Sequence, residues 1–143
     1  MPRAHEIVLV DDNPADAALV QEALARSPHQ SRLTCLTDGE QAVAYLRDRL
    51  GDAARPQLMI LDLNLPKKDG RAVLACAKAD PDLRQIPVVV FSTSQSSRDI
   101  AGSYELGANC YVCKPGNLQG FFQAVRSIEE FWFGCASLPN GGQ

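Results

Sequence analysis

Leu58-Met59-Ile60-Leu61-Asp62-Leu63-Asn64-Leu65-Pro66 is the stretch that decides the fold. Leu58 to Leu61 are apolar without alternation, as in a strand buried on both faces of a sheet. The run then stops at a carboxylate, Asp62. In open α/β sheets the residues just beyond the carboxyl ends of the strands line the functional crevice. Asp62 is therefore the first candidate for chemistry.

Similar runs lie on either side. Ile7–Val10 precedes the acidic pair Asp11-Asp12, and Val88–Phe91 leads into Ser92. Tyr111–Cys113 leads into Lys114-Pro115, and Leu33–Leu36 completes a set of five. Helical patterns separate them. Asn13-Pro14 reads as a cap followed by proline at the first helical position, with Ala18, Leu19, Ala23 and Leu24 facing inward. Asp38-Gly39-Glu40 opens a second helix carrying Ala42, Val43, Leu46 and Leu50 at helical spacing. A third runs from Gly70 to Ala79, and a fourth from Ser96 to Leu106 is closed by Gly107. A fifth starts near Asn117 and keeps Leu118, Phe121, Val125, Ile128 and Trp132 on one face. Strictly alternating strands and helices predict βαβ units and a parallel sheet, a doubly wound (βα)5 domain over residues 1–136. Residues 137–143 are expected to form a loose tail.

The bulk composition narrows the function. At 143 residues with net charge −3 and scattered basic residues, the chain lacks the footprint of a nucleic-acid binder. No apolar run approaches a membrane span, and the N-terminal apolar run is too short for a signal peptide, so a cytoplasmic location is expected. The five cysteines are odd in number and dispersed, which argues against a disulfide framework. Cys110 and Cys113 match a C-x-x-C spacing, but in a strand they point to opposite faces. His5 and His29 have no ligand-spaced partners, so zinc is not expected.

Asp11, Asp12, Asp62, Ser92 and Lys114 all fall at the same edge of the expected sheet. Two like charges ~4 Å apart cost about 4 kcal/mol at an effective dielectric near 20, so clustered carboxylates raise their pKa values or take up a cation. Oxygen-only donors with room for water favour Mg²⁺. A metal and the Lys114 ammonium would each meet a phosphoryl oxygen, leaving Asp62 as the nucleophile.

These motifs resemble the receiver domain of two-component response regulators over residues 5–130. The resemblance rests on Val10-Asp11-Asp12, Asp62 to Gly70, Pro87 to Ser92, and Gly107 to Pro115, in that order and spacing. It implies a flavodoxin-like sheet of strand order 2-1-3-4-5, with Asp62 as phosphoacceptor. It also implies Mg²⁺ held by Asp11, Asp12, Asp62 and the backbone carbonyl of Asn64. Ser92 would bond the phosphoryl group, Thr93 would lie beside it and tune water access, Tyr111 would change rotamer, and Lys114-Pro115 would be cis. The partner would be a sensor histidine kinase, docked in part on Asn13, Pro14 and Ala17. Gly116-Asn117 departs from the family, where phenylalanine often follows Lys-Pro.

About ten residues follow Phe133, so output through protein–protein contact to an unknown downstream protein is expected rather than an attached effector. Phe131, Trp132 and Phe133 are consecutive and spread over about 200° of a helix, too wide for one core face. With Phe121 they are the expected homodimer interface on an extended last helix. That aromatic ending, and the long stretch Arg47 to Gln57, are similar to single-domain regulators that partner bacterial phytochrome kinases. Two alternatives compete with this switch. An Asp-nucleophile phosphohydrolase would need an acid two residues after Asp62, where Asn64 stands. An interaction module that works without phosphorylation would usually have lost one of the acids or the lysine.

Overall fold

The computed structural model describes residues 4–48 and 55–139. Strands β1 (His5–Val10), β2 (Ser31–Leu36), β3 (Leu58–Leu61), β4 (Val88–Ser92) and β5 (Cys110–Cys113) alternate with helices α1 (Pro14–Ala25), α2 (Gly39–Asp48), α3 (Gly70–Ala79), α4 (Ser97–Glu105) and α5 (Leu118–Glu129). All pairings are parallel and the order is β2-β1-β3-β4-β5. The order of strand addition reverses between β1 and β3, which places the switch point between Asp11 and Asp62.

The period-2 geometry of strands divides the core. Val8, Val10, Met59, Leu61, Val88 and Val90 face α2 and α3. Their neighbours Ile7, Leu9, Leu58, Ile60, Val89 and Phe91 face α1 and α5. Each central strand is thus apolar on both faces, which is why its sequence does not alternate. Phe91 meets Phe121 edge to face at 5.2 Å, joining β4 to α5.

The helix starts follow their caps. Asn13 Oδ1 accepts from the Ala15 and Asp16 N–H groups, Asp69 from Arg71, Ser96 from Asp99 and Asn117 from Gly120. Gly107, at φ 106°, ends the α4 turn in a conformation that favours glycine. β2 begins two residues before Leu33, and β5 begins one before Tyr111. Leu50 and much of the Arg47–Gln57 stretch lie outside the described residues.

Two expectations are corrected. The last helix does not continue as α-helix. After Glu129 it widens into a π-helical segment, Glu130–Cys135, closed by the Ala136 N–H donating to the Phe131 carbonyl at 2.7 Å. Phe121 is not a surface residue. It is 4 % exposed, because α5 needs a large side chain over Phe91 to fill the α1 face of the sheet. Residues 137–139 of the tail are among the described residues. Leu138 and Pro139 fold back beside Pro56, Gln57, Gln85, Ile86 and Pro87 at the amino ends of β3 and β4. The remainder of the tail lies outside the described residues.

Candidate functional site

Asp62 follows β3 directly, and its N–H donates to the Val10 carbonyl at 2.9 Å, extending the ladder by one residue. That bond fixes the carboxylate at the sheet edge. Its Oδ1 accepts from the Leu63 N–H at 2.7 Å, and its Oδ2 from Lys114 Nζ at 3.0 Å. Asp11 follows β1 in the same way, its N–H bonded to the Leu36 carbonyl at 3.0 Å. Asp11 Oδ1 accepts from the Asn13 N–H at 2.9 Å and Oδ2 from Lys114 at 2.8 Å. Asp12 is exposed at the mouth. Donor oxygens of Asp11, Asp12 and Asp62 lie within 4.8 Å of one another. Among the described residues this is the one acidic group placed to hold a cation. Hard oxygen donors, two of them buried and one open to solvent, suit Mg²⁺ or Mn²⁺ with water completing the shell.

Lys114 reaches this cluster from the end of β5. Its side chain is 4 % exposed, and the ring of Phe91 lies 5.9 Å from Nζ. Burial alone would push the ammonium toward its neutral form. Hydrogen bonds to Asp11 and Asp16, with the charges of Asp11 and Asp62, outweigh burial and hold the pKa above the ordinary lysine value. Burial raises the Asp11 pKa, against the opposing pull of Lys114 and the Asn13 N–H. Asp16 is the residue that sequence reading missed. Its Oδ2 accepts from Lys114 Nζ at 2.8 Å.

Ser92 is fully buried at the end of β4, and its Oγ accepts from the Ser94 N–H at 3.3 Å. Thr93 is exposed beside it, as is Asn64 beyond Asp62. Tyr111 is half-buried and donates its hydroxyl to the Ser94 carbonyl at 2.8 Å. Ser94 is therefore a junction between Ser92 and Tyr111. Its own hydroxyl donates to Asp99 at 2.6 Å, and Arg71 of α3 holds the other Asp99 oxygen at 2.6 Å. The Lys114–Pro115 bond is trans, contrary to the expected cis form. Trans is the lower-energy isomer of a prolyl bond by about 0.5–1 kcal/mol, and here the Lys114 N–H still reaches the Ser92 carbonyl at 2.7 Å.

The expected interface aromatics diverge. Phe131 is 53 % exposed, with Trp132 edge to face against it at 5.0 Å. Phe133 instead stacks on His5 at 4.0 Å, pinning the π-helical segment to β1. All five cysteines are free, with Cys110 packed toward the α1–α5 face and Cys113 directed at the Ser94 carbonyl on the other.

An acidic pair after β1, an aspartate after β3, a hydroxyl at the end of β4 and a lysine after β5 thus gather at the carboxyl edge of a doubly wound sheet. The response regulator receiver domain family matches residues 7–126, and the chain belongs to it. Members of that family are signalling switches rather than turnover enzymes. The chain is 49 % identical to response regulator Rcp1 of Synechocystis over 135 residues, covering 93 % of this chain and 92 % of that protein. The phosphorylated cyanobacterial phytochrome response regulator RcpA superposes with a TM-score of 0.90 at 52 % identity, covering 96 % of this chain and 99 % of that one. The Mn²⁺-bound form of Rcp1 gives a TM-score of 0.88 at 48 % identity, covering 94 % and 99 %.

Proposed function

We propose that this chain is a phosphoacceptor switch in which Asp62 receives the phosphoryl group of a sensor histidine kinase's phosphohistidine. The observation that carries the reading is the Asp62 carboxylate itself. One oxygen is fixed by the Leu63 N–H and the other by a buried, charged Lys114, beside two further acids. An Asp62 oxygen forms the new O–P bond, the N–P bond to the histidine breaks, and the imidazole leaves. Lys114 offsets the negative charge that gathers on a phosphoryl oxygen. Ser92 donates its hydroxyl hydrogen to another, while its oxygen still accepts from the Ser94 N–H. Thr93 stands at the rim, where its bulk limits water reaching the acyl phosphate.

Mg²⁺ bound by Asp11, Asp12, Asp62 and the Asn64 carbonyl would supply the remaining positive charge. The kinase is taken to be a phytochrome, because RcpA is described as a phytochrome response regulator and superposes along nearly the whole chain. Output runs through protein contacts. A homodimer through Phe131 and Trp132 on the π-helical segment, with Phe133 behind them, would cover the most exposed aromatic surface.

The test is intact-mass measurement after acetyl phosphate with and without Mg²⁺, on wild type and Asp62→Asn. One phosphoryl addition that needs both Mg²⁺ and Asp62 is expected. No addition to wild type would reduce the chain to an interaction module on a receiver fold. Light scattering on the same samples, with Phe131→Asp beside them, tests the dimer. Wild-type mass at twice the variant's is expected, and equal masses would refute that interface.

A further inference from the structure

We propose that Asp16 is a positioning residue that keeps the Lys114 ammonium in the pocket while a cation and a phosphoryl group claim its other partners. The proposal rests on the phosphoacceptor reading of Asp62. Lys114 has three N–H donors, and three carboxylates accept them, Asp11 at 2.8 Å, Asp16 at 2.8 Å and Asp62 at 3.0 Å. Asp11 and Asp62 are also the buried members of the candidate cation site. A bound cation draws on their oxygens, and phosphorylation turns one Asp62 oxygen into the bridging oxygen of an acyl phosphate. Asp16 belongs to neither event. It is the one partner of Lys114 whose oxygens stay available throughout.

The ordinary reading of an acid here is a helix-start residue. Asp16 stands at the third position of α1, where an acid commonly turns back to the backbone N–H of the cap residue. That N–H belongs to Asn13, and Asp11 Oδ1 already takes it at 2.9 Å. Asp16 is thereby free to point across the pocket to a lysine 98 residues away. Its own N–H bonds to Asn13 Oδ1 at 3.1 Å, which fixes its place on the helix. The amino end of α1 also favours its negative charge. Its side chain is 21 % exposed, at the border of the pocket rather than in the core. Substitution there leaves the packing of α1 on the sheet intact.

The experiment times acetyl phosphate labelling at saturating Mg²⁺ in wild type, Asp16→Ala, Lys114→Ala and the double variant. Asp16→Ala is expected to slow labelling about tenfold, because Lys114 is no longer held where the phosphoryl oxygens arrive. In the Lys114→Ala background the same change is expected to cost less than about twofold. An equal slowing in both backgrounds, or none in the first, overturns the proposal. Mg²⁺ affinity by calorimetry is the second readout and needs no labelling. A change under about threefold in Asp16→Ala is expected, and a tenfold loss would make Asp16 part of the cation site instead. Unlabelled wild type would overturn the phosphoacceptor reading and this one with it. Labelled wild type with an equally fast Asp16→Ala overturns this one alone.

Discussion

Replacing Lys114 with methionine keeps an unbranched side chain, shorter by the terminal nitrogen, and removes its charge. Nζ lies 2.8, 2.8 and 3.0 Å from three carboxylates, at a side-chain exposure of 4 %. At ~3 Å and an effective dielectric near 20, each contact is worth about 5–6 kcal/mol before the cost of dehydrating the ammonium. Dehydration cancels most of that sum. Measured truncations of one partner in a buried pair cost about 3–5 kcal/mol. For a chain of this length each kcal/mol moves Tm by roughly 3 °C, so Lys114→Met is expected to melt about 10 °C lower at neutral pH in EDTA. The loss comes from carboxylates left facing one another, and any cation that neutralises them repairs it. Mg²⁺ must compete with Lys114 for Asp11 and Asp62 in wild type but not in the variant. Scanning calorimetry with and without Mg²⁺ is therefore expected to show a larger upward shift for the variant. Acid has the same sign. Burial raises the Asp11 pKa above its ordinary value, so protonating it costs less in the folded state than in the unfolded chain, and the variant's deficit shrinks as pH falls toward that raised value. Equal Mg²⁺ shifts in the two proteins, or an unchanged Tm in EDTA, would refute the reasoning.

A Cβ at Gly70 would overlap the Asp62 carbonyl oxygen and lie 2.7 Å from Leu63 Cα. Gly70→Ala is expected to cost about 1–3 kcal/mol and to slow Asp62 labelling, whereas Gly102→Ala, with open space around it in α4, is expected to gain up to about 1 kcal/mol by denaturant melts. His5 titrates below its ordinary value of 6.5, chiefly through burial and then through the charge of His29, with Gln57 and Glu129 opposing. Glu130 faces the same group through His29, at 3.2 Å. A histidine depressed in the folded state contributes stability present above its ordinary pKa and lost as pH falls through the lower folded value. Acid is therefore expected to loosen the His5–Phe133 stack and shift the emission of Trp132, the single tryptophan, with a midpoint below 6.5. An identical titration in His5→Leu would refute this.

Continuous apolar runs made the strands readable, and their terminal residues made the site readable, because both signals are local. Asn13, Ser96 and Gly107 act at helix ends as their residue types suggest. Asp16 was not readable. An acid in a first helical turn is ordinary, and only the fold brings Lys114 to it across 98 positions. The junction at Ser94 was hidden for the same reason. Its serine looks like loop filler until Tyr111 and Asp99 arrive from other elements. Phe121 was misassigned because helical spacing marks a buried face without saying which neighbour covers it. Phe131 to Phe133 were read with α-helical angles, and the wider π turn redirects them.

The two sides of the sheet also finish at different moments of synthesis. The side under α2 and α3 is supplied by residues up to Tyr111. The opposite side needs Phe121, Val125 and Ile128 from α5, laid against Val20, Ala23 and Leu24 of α1 about a hundred residues earlier. Until α5 leaves the ribosome, α1 has half a groove beside it and Phe91 is uncapped. Such a long-range closure comes late in folding and leaves greasy surface open in the meantime. Nascent chains stalled before residue 118 are therefore the form of this protein that chaperones would hold, and release of α5 is the step that ends their grip.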